Sequence, residues 1–261
     1  MDNNNEKNTK TIGSVIKAIE ILEELAESEK GLGLTEISNS LNYGVSATYH
    51  LLNTLKLHNI IEQNKKNKKY RIGVGLFRIS SKAKSQYSLV NLTMPFLDKL
   101  RAIVDETSNL LVLDGYEVLY IAQSESTKLL KMFTQLGAKA PLYCTGGGKA
   151  ILAYKPLSFQ EHALSKINFI KYTENTIVTA DSLRKEFEII KKQGYSIDNE
   201  EREEGITCAA APIFDCYGEV IAAVSISGPS YRIKEKDLKS IISSVVLTAK
   251  EISANLGYME K

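Results

Sequence analysis

The sequence has 261 residues, of which 43% are apolar and 25% are charged, and its 33 basic residues nearly balance its 31 acidic ones. This apolar content supports a packed core, which excludes a globally disordered chain, and the length allows one large domain or two ordinary ones. No apolar run approaches the ~18 residues that span a bilayer, and the polar N-terminus lacks the apolar stretch of a secretion signal. We therefore predict a soluble, cytoplasmic protein with no membrane partner.

Cysteine and histidine residues are few and scattered. An odd number of cysteines without CxxC spacing argues against a disulfide framework and against a structural zinc site. We therefore expect free thiols, no metal site and no cofactor. The residues concerned are Cys144, Cys208, Cys216, His50, His58 and His162.

Positive charge is concentrated in one segment of the chain. Residues 42–84 carry nine Lys and Arg side chains against a single acid, Glu62, so their net charge is +8. Such a block is typical of a module that binds nucleic acid phosphates. A solvated lysine loop that aids solubility would carry the same charge, and charge alone does not separate these two interpretations.

The N-terminal segment has the pattern of a helix-turn-helix. Residues 1–10 are polar and are predicted to form a disordered tail, and apolar residues from Thr11 to Ala26 then recur at helical spacing. We expect Thr35 to cap a second, short helix. After a short turn, Ser46 is expected to cap a third helix that ends near His58.

A hairpin is predicted directly after the third helix, because two β-prone arms flank a polar, lysine-rich tip at residues 64–69. Three helices and this hairpin form a winged helix-turn-helix, predicted for residues 11–75. The N-terminal side chains of the third helix read bases in the major groove, whereas a basic hairpin lies along the phosphate backbone or in the minor groove. The candidate base contacts are Ser46, Tyr49, His50 and Asn53. The candidate backbone contacts are Lys65, Lys66, Lys68, Lys69 and Arg71.

The remaining sequence predicts a linker and an α+β domain. Residues 76–92 are predicted to form a linker helix, and Pro95 suits the first turn of a new helix that ends near Glu106. Within residues 93–261, predicted hairpins and amphipathic helices favour an antiparallel sheet flanked by helices. One of these helices is expected to begin at Lys149.

Two features of this second domain could form a ligand pocket. Strand alternation places Ser225 and Ser227 on one face, which is either solvent-exposed, the default, or a pocket lining. The segment Thr145–Gly148 precedes a predicted helix, so free N–H groups and the helix dipole could bind an anion there. A plain helix-initiating turn is the alternative. A Walker A loop is excluded, because Tyr143 stands where its first glycine belongs.

Several motifs follow one another over nearly the whole chain. Those of the N-terminal part are Ser14–Ala18 with Ile21–Leu22, Leu34–Ile37, Leu51–Leu55 and Tyr70–Gly73. Those of the C-terminal part are Pro141–Thr145 with Gly148–Ala150, Gly194–Glu201, Gly205–Pro212 and Ala223–Pro229. In order and spacing they resemble the IclR family of bacterial transcription regulators, and the C-terminal matches are the stronger ones. Two positions depart from the family pattern: His50 stands where members usually carry Arg, and Val45 where they often carry Lys. Both changes weaken cationic contact at the third helix.

The resemblance implies a GAF-like effector-binding domain after the winged helix and linker, dimerisation through the N-terminal part, and often pairing of dimers into tetramers. Backbone amides and hydroxyls suit a carboxylate, whereas an ionised Asp198 repels one and accepts hydrogen bonds from ligand hydroxyls. We therefore predict a small hydroxylated carboxylic acid as effector, such as a sugar acid or a hydrated 2-oxo acid. The ligand contacts that the family implies are Thr145, Gly146, Asp198, Cys208, Ser225 and Ser227.

The leading hypothesis is a ligand-responsive transcriptional repressor that binds double-stranded operator DNA as a homodimer or a dimer of dimers. A second hypothesis is an enzyme that acts on a small acid through Cys208 or Asp198. We nevertheless predict no catalytic residue, because a nucleophilic Cys208 needs a nearby base and His162 lies in a helical segment without a supporting motif. A third hypothesis is a regulator with a vestigial pocket, which ligand-induced thermal stabilisation would distinguish from the first.

Overall fold

The computed structural model describes residues 11–76, 78–79, 88–132, 135–235 and 237–259. The chain divides into two compact units, Met1–Tyr87 and Ser88–Lys261. The predicted tail at residues 1–10 lies outside the described residues.

The first unit is a winged helix-turn-helix, as predicted. Its small core joins all three helices to the hairpin and consists of Ile21, Leu25, Ile37, Leu52, Ile61 and Tyr70. The two strands pair antiparallel, with Glu62 opposite Arg71. The elements are α1 (Gly13–Ala26), α2 (Leu34–Ser40), α3 (Val45–Leu57), β1 (Ile61–Gln63) and β2 (Tyr70–Ile72).

The caps of α2 and α3 differ from the prediction. Gly33 and Gly44 occupy the N-cap positions, and Thr35 and Ser46 are each the second residue of their helix. Glycine is an acceptable N-cap, and at α2 the Glu36 carboxylate accepts the Gly33 N–H at 2.5 Å. Thr35 and Ser46 were therefore wrongly predicted as caps.

The predicted apolar face of α1 is only partly covered within this unit. Ile21 and Leu25 are buried, but four other apolar side chains are 41% to 68% exposed. They follow one another at helical spacing and form a continuous stripe, here called the α1 stripe. Its members are Ile12, Val15, Ile16 and Ile19.

The second unit is a six-stranded antiparallel sheet with helices on both faces, in the strand order β5-β4-β3-β8-β7-β6. Together with the winged helix it confirms the predicted α+β class. The strands are β3 (Thr107–Asp114), β4 (Glu117–Ser124), β5 (Lys139–Pro141), β6 (Ser196–Asn199), β7 (Ile206–Phe214) and β8 (Val220–Pro229). The helices are α4 (Leu89–Val104), α5 (Gly146–Tyr154), α6 (Leu157–Lys166), α7 (Ala180–Gln193), α8 (Ser230–Glu235) and α9 (Leu238–Asn255).

Strand alternation divides the core of this unit between the two faces of the sheet. Helices α4 and α9 pack on one face, where the β8 residues Val224 and Ile226 lie. Helices α5, α6 and α7 pack on the other face, which Ala223 of β8 shares. Ser225 and Ser227 therefore point to the side of α5, because alternate residues of a strand share a face.

Helix α4 begins earlier than predicted and contains Pro95 in its interior. The prediction that Pro95 starts this helix was wrong. Proline removes one backbone donor, but the apolar residues before and after it pack on the same core, which favours one continuous helix. Residues 77 and 80–87 of the predicted linker helix lie outside the described residues, and 89–92 belong to α4.

Candidate DNA-binding and ligand-binding sites

Helix α3 presents the predicted base-reading side chains. Ser46, Tyr49 and His50 are exposed, and Asn53 is half-buried. Thr48 and Leu52 are the buried residues of this helix and hold it against the rest of the unit. Residues 46 to 53 lie in the first two-thirds of α3, the part that reads bases in helix-turn-helix proteins.

The turn that leads into α3 is fixed by Tyr43. Its backbone N–H donates to the Ser38 carbonyl at 2.9 Å, and its own carbonyl accepts the Ser38 hydroxyl at 2.5 Å. The Tyr43 hydroxyl donates to Glu20 of α1, and the Lys17 ammonium lies 4.7 Å from the centre of its ring. All three helices are thereby joined at this turn, which orients α3.

The five basic side chains of the hairpin differ in how they are engaged. Lys69 pairs with Glu36 at 3.2 Å, and Arg71 pairs with Glu62 on the facing strand. The other three cations, which we call the wing lysines, are exposed, and no acid among the described residues pairs with them. The wing lysines are Lys65, Lys66 and Lys68. They can neutralise phosphates without first breaking an internal ion pair.

A cavity of about 220 Å³ opens in the second unit. This volume is smaller than the ~300–1,000 Å³ of pockets for drug-sized ligands. All six predicted ligand contacts line it: Thr145, Gly146, Asp198, Cys208, Ser225 and Ser227. Leu111, Tyr120, Met132, Gln135, Lys139 and Arg202 are among the other lining residues.

One wall of the cavity is the N-terminus of α5. This helix begins at Gly146, so the expected start at Lys149 was wrong. Gly147 and Gly148 lie inside the first turn, where a Cβ on Gly148 would meet the Leu142 carbonyl oxygen at 2.5 Å. The lack of a side chain at Gly147 and Gly148 therefore lets other parts of the protein pack closely against the helix start. The first-turn N–H groups have no carbonyl partner within the helix, and Gly146 and Gly147 bring this end to the cavity.

The two serines line the cavity and are not exposed to solvent, since each is 3% exposed. The Asn109 amide Nδ2 lies 3.4 Å from the Ser225 hydroxyl and 3.3 Å from the Ser227 hydroxyl. Asn109 is fully buried, and its own Oδ1 accepts Gln123 Nε2 at 3.0 Å. The serine pair is thus held by an amide that sequence reasoning missed.

Asp198 and Cys208 face each other across β6 and β7. Asp198 Oδ1 accepts the backbone N–H of Glu201 at 2.7 Å, and burial raises the pKa of this carboxyl to about 7. Near neutral pH it can therefore accept a hydrogen bond when ionised or donate one when protonated. Burial also raises the pKa of the Cys208 thiol, which keeps the thiol protonated and weakly nucleophilic.

Comparison with known proteins identifies the family to which the chain belongs. Residues 14–65 match the family model described as IclR helix-turn-helix domain, and residues 81–254 match that of the bacterial transcriptional regulator IclR C-terminal part. The HTH-type transcriptional regulator KdgR of Escherichia coli (strain K12) is 33% identical over 253 residues, which is 97% of this chain and 96% of KdgR. The chain belongs to the IclR family.

Further IclR proteins match over most of their length. The HTH-type transcriptional repressor AllR of Salmonella typhimurium (strain LT2) is 34% identical, with 92% of this chain and 89% of AllR covered. The crystal structure of Thermotoga maritima IclR matches with a TM-score of 0.63 and 33% identity, covering 95% of this chain and all of that one. The chain is thus an IclR-type ligand-responsive, DNA-binding transcriptional regulator.

This IclR assignment decides between the functional classes considered above. The family consists of transcriptional regulators, so the chain is not an enzyme. His162, the histidine considered as a base for Cys208, lies on α6 with its ring 5.7 Å from that of Tyr116 and does not line the cavity. In the described ranges, no cluster of three or more His, Cys, Asp or Glu is arranged to hold a metal ion. No helix found there is long and apolar enough to cross a membrane.

A buried ion pair supports the cavity of this IclR protein from behind. Lys149, which is 1% exposed, pairs with Glu201 and lies 3.2 Å from Glu186 Oε1. The Glu201 carbonyl accepts the Thr176 hydroxyl at 2.6 Å. The turn at residues 198–202, which carries Asp198 into the cavity, is therefore tied to α5 through Lys149.

Besides Asn109, which contacts the serine pair, sequence reasoning missed several residues that line the cavity. Tyr120, Lys139 and Arg202 line the same space as the six predicted contacts. The alternation of β8 places Ser225 and Ser227 on one face, but only the sheet order brings Asn109 of β3 beside them. Arg202 lies only four residues after Asp198, so the sequence could have suggested that it lies near the same cavity.

Proposed function

We propose that the chain is a repressor that binds double-stranded operator DNA through α3 and the wing lysines and responds to a small hydroxylated carboxylic acid in the cavity. The observation that carries the ligand proposal is the cluster of serine hydroxyls, Asp198 and the α5 N-terminus around one cavity of about 220 Å³. The similarity to AllR, a transcriptional repressor, supports repression as the direction of regulation.

The chemistry of the cavity supports a hydroxylated acid over a neutral or apolar ligand. Helix N-termini bind carboxylates, and Gly146 and Gly147 present such an end. Ser225, Ser227 and Asp198 supply hydroxyl and carboxyl groups, which exchange hydrogen bonds with ligand hydroxyls. A six-carbon sugar acid or a hydrated 2-oxo acid combines both requirements in a molecule of this size.

The ligand proposal is tested by Ser225→Ala. We expect isothermal titration of the wild type with sugar acids and 2-oxo acids to give saturable binding by at least one acid. Ser225→Ala should weaken that binding by roughly tenfold, since a lost hydrogen bond to a charged or buried group costs ~1.5 kcal/mol. Ser243→Ala, on the exposed side of α9, is the matched control and should bind like the wild type.

Two outcomes would count against the ligand proposal. An identical titration profile for Ser225→Ala and the wild type would exclude the serine pair as a ligand contact. Thermal denaturation without any ligand-induced stabilisation, together with DNA binding that no acid changes, would favour a regulator with a vestigial pocket instead.

We further propose that the protein is a homodimer that buries the α1 stripe. Three apolar side chains of α1 and that of its N-cap residue Ile12, each at least 41% exposed, form a surface that a second copy can cover around a two-fold axis. Placing the same stripe of both copies in contact satisfies the self-complementarity of such an interface. The sedimentation mass of the wild type distinguishes a dimer from a dimer of dimers.

Charge in the stripe should separate the protomers. We expect the double variant Ile16→Glu, Ile19→Glu to sediment as a monomer at concentrations where the wild type is dimeric, because like charges would meet in an apolar interface. Leu57→Glu introduces a carboxylate at an apolar position outside the stripe that is even more exposed, 80%, and this variant should remain dimeric. A dimeric double variant would contradict this interface.

A further inference from the structure

Resting on the proposed function, we propose that Arg202 is a specificity-determining residue that binds a second anionic group of the effector. The cavity would then prefer a dianionic hydroxylated acid to the monoacid with the same carbon skeleton. The first anionic group would lie at the N-terminus of α5, and the second would pair with the Arg202 guanidinium.

Arg202 is held in place at the cavity by its surroundings. It belongs to the turn at 198–202, and its backbone N–H lies 3.4 Å from Asp198 Oδ1. Its guanidinium carbon lies 3.9 Å from the centre of the Tyr172 ring, a stacking contact that fixes the plane of the group. Arg202 lines the same cavity as Asp198 and the serines. The guanidinium is thus positioned before any ligand arrives.

The Arg202 guanidinium nevertheless lacks a carboxylate partner among the described residues, unlike two other arginines of this unit. Arg184 binds both oxygens of Glu161, and Arg232 binds both oxygens of Glu106. Within the described ranges, no carboxylate lies within 4.0 Å of the Arg202 guanidinium. Four acids flank Arg202 in the sequence. Glu200 pairs with Lys234 and Glu201 with Lys149, whereas Glu203, which also lines the cavity, and Glu204 are exposed and form no ion pair with Arg202.

The charge of Arg202 acts on the cavity wall. Burial raises the pKa of the Tyr120 phenol and that of the Cys144 thiol, and the positive charge of Arg202 partly offsets both increases. Tyr120 itself lines the cavity, and Cys144 directly precedes Thr145. The positive charge of Arg202 would therefore attract an anion bound in this cavity.

Other cations of the cavity cannot take this role as readily. Lys139 lines the cavity, but its ammonium already pairs with Asp114 at 2.6 Å. A guanidinium that stacks on a ring keeps its N–H edge free, and that edge matches the two oxygens of a carboxylate. A ligand with one acidic end can use the α5 N-terminus or Arg202, whereas a dianion can use both.

The test compares two six-carbon sugar acids that differ at one end, D-gluconate and D-glucarate, by isothermal titration. We expect the wild type to bind the dianionic glucarate at least about tenfold more tightly than gluconate, as one charge-assisted contact of ~1.4 kcal/mol would give. Arg202→Gln should bring the two affinities within about twofold. Arg202→Lys, which keeps the charge, should retain part of the preference, and Arg184→Gln, an equal charge loss outside the cavity, should retain all of it.

The possible outcomes separate the inference from the proposed function. If both acids bind the wild type and Arg202→Gln leaves their affinity ratio unchanged, the role of Arg202 is excluded while the acid-binding function stands. A wild-type preference for gluconate would exclude it equally. If neither acid binds the wild type or alters its DNA binding, the proposed ligand class is wrong and the inference falls with it. A structural role alone would lower both affinities together and leave their ratio intact.

Discussion

Replacing the three wing lysines by alanine should weaken binding to DNA from the protein's own promoter by roughly 10²-fold at physiological salt. Each phosphate contact contributes about −0.9 to the slope of log K against log salt, so three contacts change that slope by about 2.7. Applied to the decrease from ~1 M to ~0.15 M salt, this change in slope gives the expected loss of roughly 10²-fold in affinity. Lys65, Lys66 and Lys68 are exposed and lack ion-pair partners among the described residues, so their charges are available to phosphates.

The measurement is fluorescence anisotropy with labelled promoter DNA at several salt concentrations. A matched variant replaces three exposed lysines of the second unit, Lys185, Lys192 and Lys239, by alanine and has the same net charge. It should keep the wild-type slope, because its lysines lie outside the winged helix. If the wing-lysine variant has the same slope as the wild type, the hairpin does not contact the DNA.

The ion pairs of the hairpin refine the expectation from sequence. Five cations in contact with phosphates would give a slope near −4.5, but Lys69 and Arg71 are engaged by Glu36 and Glu62. Lys69→Ala alone should therefore change the slope by less than Lys66→Ala does.

Lys149→Met is expected to lower the free energy of unfolding by about 3–5 kcal/mol, the range measured when one partner of a buried ion pair is removed. Lys149 is 1% exposed, and its loss would leave the buried Glu201 carboxylate without a cation. Glu201 Oε2 already has no hydrogen-bond partner among the described residues, so little else could compensate the charge. Urea denaturation of the full chain measures the change.

Two companion variants separate charge from packing. Adding Glu201→Gln to Lys149→Met removes the orphaned charge and should restore part of the lost stability. Lys185→Met, on the exposed side of α7, should change stability by no more than about 0.5 kcal/mol. A Lys149→Met penalty below about 1 kcal/mol, or one unaffected by Glu201→Gln, would contradict the electrostatic explanation.

The penalty should also depend on pH. Burial raises the pKa of Glu201 above its ordinary value, and the loss of the lysine would raise it further. The folded variant then binds more protons at Glu201 than the unfolded chain does. Its free energy of unfolding therefore falls as the pH rises from the pKa of Glu201 in the unfolded chain to its higher pKa in the folded variant. We therefore expect the Lys149→Met penalty to shrink when the pH is lowered from 7 to 5.

Local patterns predicted much of the fold and part of the candidate sites. Helical spacing, the lysine-rich tip and strand alternation require only nearby residues, and they led to the winged helix and to the common face of Ser225 and Ser227. The starts of α2 and α3 were misplaced because a hydroxyl residue near a helix start resembles a cap, although glycine takes that position in both cases.

What could not be predicted depends on contacts between distant parts of the chain. Asn109 reaches Ser225 across 116 residues, and Lys149 reaches Glu201 across 52. Pro95 was read as a boundary because proline disfavours helix interiors, but the apolar face of α4 continues past it into the core. Only tertiary packing decides such cases.

The shared amide at Asn109 affects how this site can diverge. Because Nδ2 can donate to either hydroxyl, mutation of one serine leaves this donor with an acceptor still in reach. Either serine can therefore be exchanged singly during divergence without leaving the Asn109 amide wholly without an acceptor. Losing both would leave a buried N–H unsatisfied, so one of the two hydroxyls has to be kept for as long as Asn109 is present.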